Sequence, residues 1–306
     1  MDVKDPVTAE PSLQTREPLD TEALAQLAAQ VRADCVRAVH HAQGGHLGGP
    51  LSCADILVAL YFHVLDVRPE QPDWPERDRF IMSKGHSSIA LYSTLAARGY
   101  FPRQELLTFD AIDSRLQGHP DMTRLPGLDM STGSLGQGLS PGLGMALGAK
   151  LLRQDWHTWV LLGDGECQEG QIWEAAFVAA RYKLDNLTAI LDFNRLQQYG
   201  WRGETIKDRM PPWDPDPAIM GDKWHAFGWH TIYIDGHDLP QIVDACEQAQ
   251  AHKGQPTIII ASTVKGKGVS FMSDAYEWHA KVPTPEELEL ALRELGQTEN
   301  GISNGA

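Results

Sequence analysis

The sequence contains no run of about eighteen apolar residues and no amino-terminal signal pattern. Both absences predict a chain that neither spans a membrane nor is secreted. It is also short of positive charge: 26 Lys and Arg against 41 Asp and Glu leave a formal net charge of −15. A field of that sign argues against nucleic acid or an anionic membrane as the main partner. A phosphorylated ligand stays open, because a bound cation and local dipoles can override the global field. Cysteine is scarce and scattered. Cys35, Cys53, Cys167 and Cys246 show no CxxC spacing, so they are expected to be reduced packing residues in a cytoplasmic protein. No internal repeat or linker divides residues 19–296. One domain is expected there, between a flexible arm over 1–18 and a flexible tail over 297–306, and 42% hydrophobic residues suffice for its core.

What is present alternates in period. Leu24, Leu27, Ala28, Val31 and Cys35 recur at helical spacing after a cap at Asp20 or Thr21. The loop 44–50 is glycine-rich and reads as special backbone, after which Ser52 is expected to cap a second helix. Residues 79–82, 188–194, 231–234 and 257–261 read as strands, with helices over 87–98 and 285–295 and another that starts at 236–238 and runs through 251. A helix closes over 224–230 ahead of the 231–234 strand. This alternation predicts an α/β fold: a single doubly wound parallel sheet with helices on both faces. The glycines of 133–148 run into a helix instead of joining a strand to a helix N-terminus, so a dinucleotide fingerprint is disfavoured. Their density predicts close helix packing or a ligand against backbone.

The sharpest signal lies over 160–170. Val160, Leu161 and Leu162 end a buried strand, and Gly163-Asp164-Gly165 stops it. The two glycines are expected to turn the chain sharply and admit a ligand to the main chain. A helical pattern begins near Glu169, so Asp164 lies at a strand-to-helix junction, where open α/β sheets bind ligands. Free N–H groups there attract anions, and a carboxylate among them requires a cation. Asn194 ends the next strand. Asp and Asn oxygens with a backbone carbonyl suit Mg²⁺ or Ca²⁺. Four histidines, His46, His86, His119 and His279, occupy Gly- or Trp-marked loops on the expected ligand side of the sheet. Their titration range suits proton transfer at neutral pH. His157, His225 and His230 flank strands and are read as structural.

Gly163-Asp164-Gly165 followed by Asn194, thirty residues (194 − 164) after Asp164, resembles the thiamine-diphosphate motif. Gln168-Glu169-Gly170 narrows the resemblance to transketolase. Further matches run in order along residues 20–296: Gly45-His46-Leu47-Gly48-Gly49, Ser83-Lys84-Gly85-His86-Ser87, Gly118-His119-Pro120, residues 132–138, and Trp278-His279. The resemblance implies that Asp164, Asn194 and the Leu196 carbonyl hold the metal. It places Gly163, Gly165 and His86 against the diphosphate with His279 near it, and Gly133 and Leu135 on the aminopyrimidine side. His46, His119 and His279, with His86, would serve the chemistry, and Glu169 would link the two active sites of a dimer. Ser134, Phe193, Arg195, Tyr199 and Ala280 depart from the long enzymes, as does the stretch 199–216, which bears on substrate scope.

In that family the cofactor is activated by a glutamate of a second, pyrimidine-binding domain. The sequence resembles only the first domain, so the expectation is the N-terminal subunit of a split transketolase. A C-terminal subunit would supply the pyrimidine-binding domain and the glutamate, giving α2β2. Its substrates would be sugars or sugar phosphates. A deoxyxylulose-phosphate synthase-like or 2-oxo-acid dehydrogenase-like subunit is the alternative, and so is a non-catalytic cofactor-binding remnant.

Overall fold

A computed structural model describes residues 20–198 and 216–297. The expected arm over 1–18, the stretch 199–215 and the tail beyond Gln297 lie outside the described residues. Five strands form one parallel sheet in the order β1-β2-β3-β5-β4. They are β1 (Arg79–Met82), β2 (Thr158–Gly163), β3 (Leu187–Phe193), β4 (His230–Asp235) and β5 (Thr257–Ser262). In chain order the helices are α1 (Thr21–Ala42), α2 (Gly48–Ser52), α3 (Ala54–Ala59), α4 (Ser88–Arg98), α5 (Leu139–Leu152), α6 (Gly170–Arg181), α7 (Pro217–Ala226), α8 (Leu239–Ala251) and α9 (Pro285–Glu294).

The sheet is covered on both faces, so β2, β3 and β5 are apolar almost throughout instead of alternating with polar residues. The two-residue period decides which core each side chain enters. Phe80, Trp159, Leu161, Ile190 and Ile259 join the core under α1, α3, α4, α8 and α9. Ile81, Val160, Leu162, Leu191 and Ile260 join the one under α5, α6 and α7. All four cysteines are free and buried. No helix among the described residues is long and apolar enough to cross a membrane.

Side-chain caps open the first and last helices, the first at the Asp20 that the sequence offered. Asp20 accepts the Ala23 N–H, and Thr284 with Glu287 forms a reciprocal capping box on α9. Other expectations fail for identifiable reasons. Gly48, Gly49 and Pro50 are helical, and only Gly45 in that stretch has a left-handed backbone, with φ 116°. Ser52 ends α2 and caps nothing; its hydroxyl is drawn to Gly49 O at 2.8 Å and Asp192 Oδ2 at 2.5 Å. The helix before β4 stops at Ala226, and His230 is the first residue of the strand, stacked on His252. In α5, Gly142 permits close packing, since a Cβ would lie 2.6 Å from Val160 Cγ2, whereas Gly144 and Gly148 face open space.

Candidate active site

Parallel strands place all their carboxyl ends on one edge, and the segments leaving that edge carry His86, Asp164, Asn194 and His279, whereas His46 and His119 come from connections between helices. After β2 the chain enters a 3₁₀ turn, Gly165–Gln168, before α6. Neither Gly163 nor Gly165 adopts a left-handed backbone, so the expected sharp glycine turn is replaced by ordinary helical geometry. What Gly165 provides is room, because a Cβ there would lie 3.0 Å from Gln197 Cγ. Asp164 Oδ1 accepts the Gly165 N–H at 2.8 Å, and Oδ2 accepts the Arg195 N–H at 2.6 Å. The second bond ties the acidic turn to the end of β3, where Asn194 Oδ1 accepts the Leu196 N–H at 3.1 Å. Burial, reinforced by the nearby Asp192 charge, pushes the Asp164 carboxyl up to about 6. A carboxylate so destabilised gains most from a cation.

The donors fit a hard dication: a carboxylate, an amide oxygen and a carbonyl, each with a lone pair left after its present bond. Among the described residues no three His, Cys, Asp or Glu side chains converge on a metal. Amide, carbonyl and ligand oxygens would therefore complete the shell. The Leu196 carbonyl accepts Lys265 Nζ at 3.1 Å. Lys265 also reaches His279 Nδ1 at 2.9 Å and has no carboxylate partner within ion-pair distance among the described residues. Burial and repulsion from Lys84 lower its ammonium to about 8. A buried cation without a direct counter-ion suits an anionic ligand such as a diphosphate, and a dication at the neighbouring acidic turn would offset the rest of its charge.

Beneath this surface lies an ionic network that the sequence reading did not single out. Asp192, fully buried in β3, takes Lys84, Ser52 and Thr263 as donors and Asn194 Nδ2 at 3.3 Å. That last bond fixes which end of the Asn194 amide is free, leaving Oδ1 on the Leu196 side. Glu166 is likewise buried. Its carboxylate accepts Ser83 Oγ at 2.5 Å, Gly136 N–H at 2.8 Å and Gly163 N–H at 3.0 Å. Three separate loops are thereby pinned to one another. The available signals were a charge inside the apolar run of β3 and a second acid beside Asp164; neither belongs to a short motif.

The four loop histidines meet. Ring centroids lie 5.3 Å apart for His46 and His86, 6.1 Å for His46 and His119, 5.2 Å for His46 and His279, and 5.2 Å for His86 and His279. Burial comes first in lowering three of them. His86 falls well below the ordinary imidazole value with Lys84 next in cause, His279 falls to about 3 with Lys265 next, and His46 falls with His119 next. At neutral pH these three are uncharged and can accept or donate hydrogen bonds. Gly133 lies against His119, where a Cβ would be 3.2 Å from the ring, and Leu135 follows on the same loop, half-buried. Glu169 is exposed at the start of α6, with no side-chain capping bond.

Residues 24–301 match the family described as "Transketolase, thiamine diphosphate binding domain". The chain belongs to the transketolase family. It is 43% identical over 266 residues to one of the subunits of the apulose-4-phosphate transketolase of Phocaeicola vulgatus, covering 87% of this chain and 91% of that one. To the 6-deoxy-6-sulfo-D-fructose transketolase subunit of a Clostridium species it is 45% identical over 251 residues, covering 82% and 88%. Against the transketolase of Homo sapiens it is 40% identical over 281 residues, covering 90% of this chain but 42% of the human one. The solved transketolase of Campylobacter jejuni superposes with a TM-score of 0.83 at 32% identity, over 92% of this chain and 44% of that one. The transketolase-type parallel sheet expected from the sequence is thus the one observed.

Proposed function

We propose that this chain is the thiamine-diphosphate-binding subunit of a two-chain transketolase, transferring a two-carbon ketol unit from a ketose to an aldose or aldehyde. The observation that carries the reading is the convergence of His46, His86, His119 and His279 beside the Asp164–Asn194 turn. A module that only bound the cofactor would need the turn but not the imidazoles. In this reading Asp164, Asn194 and the Leu196 carbonyl hold Mg²⁺ or Ca²⁺. Gly165, His86 and Lys265 meet the diphosphate. Bound thiamine diphosphate supplies the nucleophile and the electron sink for carbon–carbon cleavage. The uncharged His46 and His279, with His119, hydrogen-bond the substrate hydroxyls and carry protons to and from its oxygen.

The names of the subunit relatives support a second chain; in this reading it bears the pyrimidine-binding domain and activating glutamate, the assembly is α2β2, and the substrates are sugars or sugar phosphates. A cytoplasmic location belongs to the same proposal. Gln168-Glu169-Gly170 and Gly118-His119-Pro120 favour transketolase over deoxyxylulose-phosphate synthase-like or 2-oxo-acid dehydrogenase-like enzymes.

The test is a titration of the purified chain with a transketolase subunit carrying the pyrimidine-binding domain, following C2–H/D exchange of the cofactor and ketol transfer together. Both should saturate near one copy of each chain. Asp164→Ala should abolish thiamine-diphosphate binding in Mg²⁺ while the circular dichroism stays native. His119→Ala should retain binding and lose about 10²–10⁴-fold in turnover. Full exchange by the chain alone would defeat the two-chain reading.

A further inference from the structure

Gly236-His237-Asp238 joins β4 to α8, and Asp238 caps that helix by accepting the Gln241 N–H. His237 belongs to neither the metal turn nor the imidazole cluster, yet its side chain is only 9% exposed and both ring nitrogens are bonded. Nε2 lies 2.9 Å from the Val264 nitrogen, and Nδ1 lies 2.7 Å from Asp55 Oδ2. A backbone amide can only donate, so Nε2 carries the lone pair and Nδ1 the proton. Asp55 is gripped in turn by both terminal nitrogens of Arg32, whose Nε donates to the Leu51 carbonyl at 3.0 Å. A buried relay thus starts on α1, passes through α3 and ends on the segment leaving β5.

That segment is pinned along its length. The Thr263 N–H goes to the Phe193 carbonyl at 3.2 Å and its hydroxyl to Asp192. The Lys265 carbonyl accepts the Asp274 N–H at 2.8 Å, and the Gly266 N–H goes to the Gly48 carbonyl at 3.0 Å. Between these backbone ties, the Val264 N–H is held by the imidazole of His237. The next residue is Lys265, whose stem lies on Gly48: a Cβ added there would be 2.8 Å from both Cγ and Cε. Its Nζ meets the Leu196 carbonyl and His279 Nδ1. A stem so confined has little room to absorb a shift of the peptide before it, so the ammonium would move with the backbone.

We infer that His237 is a positioning residue for Lys265, holding the ammonium in place through the Val264 amide. The inference rests on the proposed function for the ligand that Lys265 meets, but the pin itself does not depend on it. A role confined to stabilising the fold through Asp55 and Arg32 makes a different demand. Loss of His237 would then loosen neighbouring buried groups together. Lys84 is the internal reference, because it is as buried as Lys265, at 2% exposure, and is paired with Asp192.

The experiment compares wild type with His237→Asn and His237→Gln. The Asn amide can take the place of Nδ1 and keep the bond to Asp55 but falls short of Val264, whereas the Gln amide can present an oxygen to Val264. The first arm uses no cofactor: acetic anhydride labelling, mapped by peptide mass spectrometry, reads Lys265 against Lys84. Lys265 should label about tenfold faster in His237→Asn, the scale of one lost hydrogen bond, with Lys84 unchanged and His237→Gln close to wild type. An unchanged Lys265, Lys84 rising with it, or His237→Gln labelling faster than His237→Asn overturns the inference. The second arm is calorimetric titration with thiamine diphosphate in Mg²⁺. His237→Asn should bind about tenfold more weakly, and adding it to Lys265→Met should weaken binding no further than Lys265→Met alone. Additive losses would place the action of His237 elsewhere and overturn the assignment. A wild type that binds no thiamine diphosphate would sink the proposed function and leave the labelling arm to decide this inference.

Discussion

Lys84 and Asp192 form an ion pair with the side chains 2% and 0% exposed, directly beneath the cofactor loops. Replacing Lys84 by Met keeps length and apolar volume but leaves a buried carboxylate without its cation. The Ser52, Thr263 and Asn194 donors would remain on Asp192, yet none carries charge. Breaking such a pair from one side costs about 3–5 kcal/mol. At roughly 2–4 °C per kcal/mol for a domain near this size, the melting temperature should fall by roughly 6–20 °C. Asp192→Asn should be similarly damaging, because it strands the ammonium. The double variant should be better than the sum of the two by about 2 kcal/mol, since neither charge is then uncompensated. Urea denaturation followed by circular dichroism measures all four proteins. Burial raises the Asp192 carboxyl, but the Lys84 charge outweighs it and holds the group below its ordinary value. The contribution should therefore be complete above about pH 4, the unfolded carboxylate value, and be lost on further acidification. Additive single effects, or a Lys84→Met cost under about 1 kcal/mol, would refute the reasoning.

Three further outcomes follow from the same packing. Burial lowers His157 to about 3, so it contributes stability above the unfolded value of about 6.5 and loses it as pH falls, at about 1.4 kcal/mol per pH unit. His157→Gln should flatten the stability–pH curve between pH 6 and 5 by about that slope, and parallel curves in urea would exclude it. Glu166→Gln should turn an amide donor toward Ser83, Gly136 or Gly163, all of which donate. A cost of about 1–3 kcal/mol and weaker thiamine-diphosphate binding by calorimetry are expected, and unchanged affinity would show that the three loops do not depend on this pin. Along α5, Gly148→Ala enters open space and should raise stability by about 0.5–1 kcal/mol. Gly142→Ala meets Val160 at 2.6 Å and should lower it by about 1–3 kcal/mol; thermal melts of the pair decide.

Local and periodic features were fixed by residue order alone. The strand runs, the Asp20 start, the stop of β2 at Gly163 and the placing of Asp164 and Asn194 at neighbouring strand ends all depend on contacts within a few residues, or on a two-residue or 3.6-residue period. The short loops holding His46, His86, His119 and His279 were legible for the same reason. Tertiary structure decided what those loops do to one another. Ser52 is no helix cap because Asp192, 140 residues away, takes its hydroxyl. Gly163 and Gly165 need no left-handed backbone because the turn is helical, and room beside Gln197 is what matters. Lys84, Glu166, Asp192 and Lys265 were given no role from the sequence because a buried charge is revealed only by its partner, and those partners are brought together by the parallel sheet. The uncharged state of His86 and His279 likewise comes from desolvation and from two lysines supplied by different loops, which no spacing in the chain records.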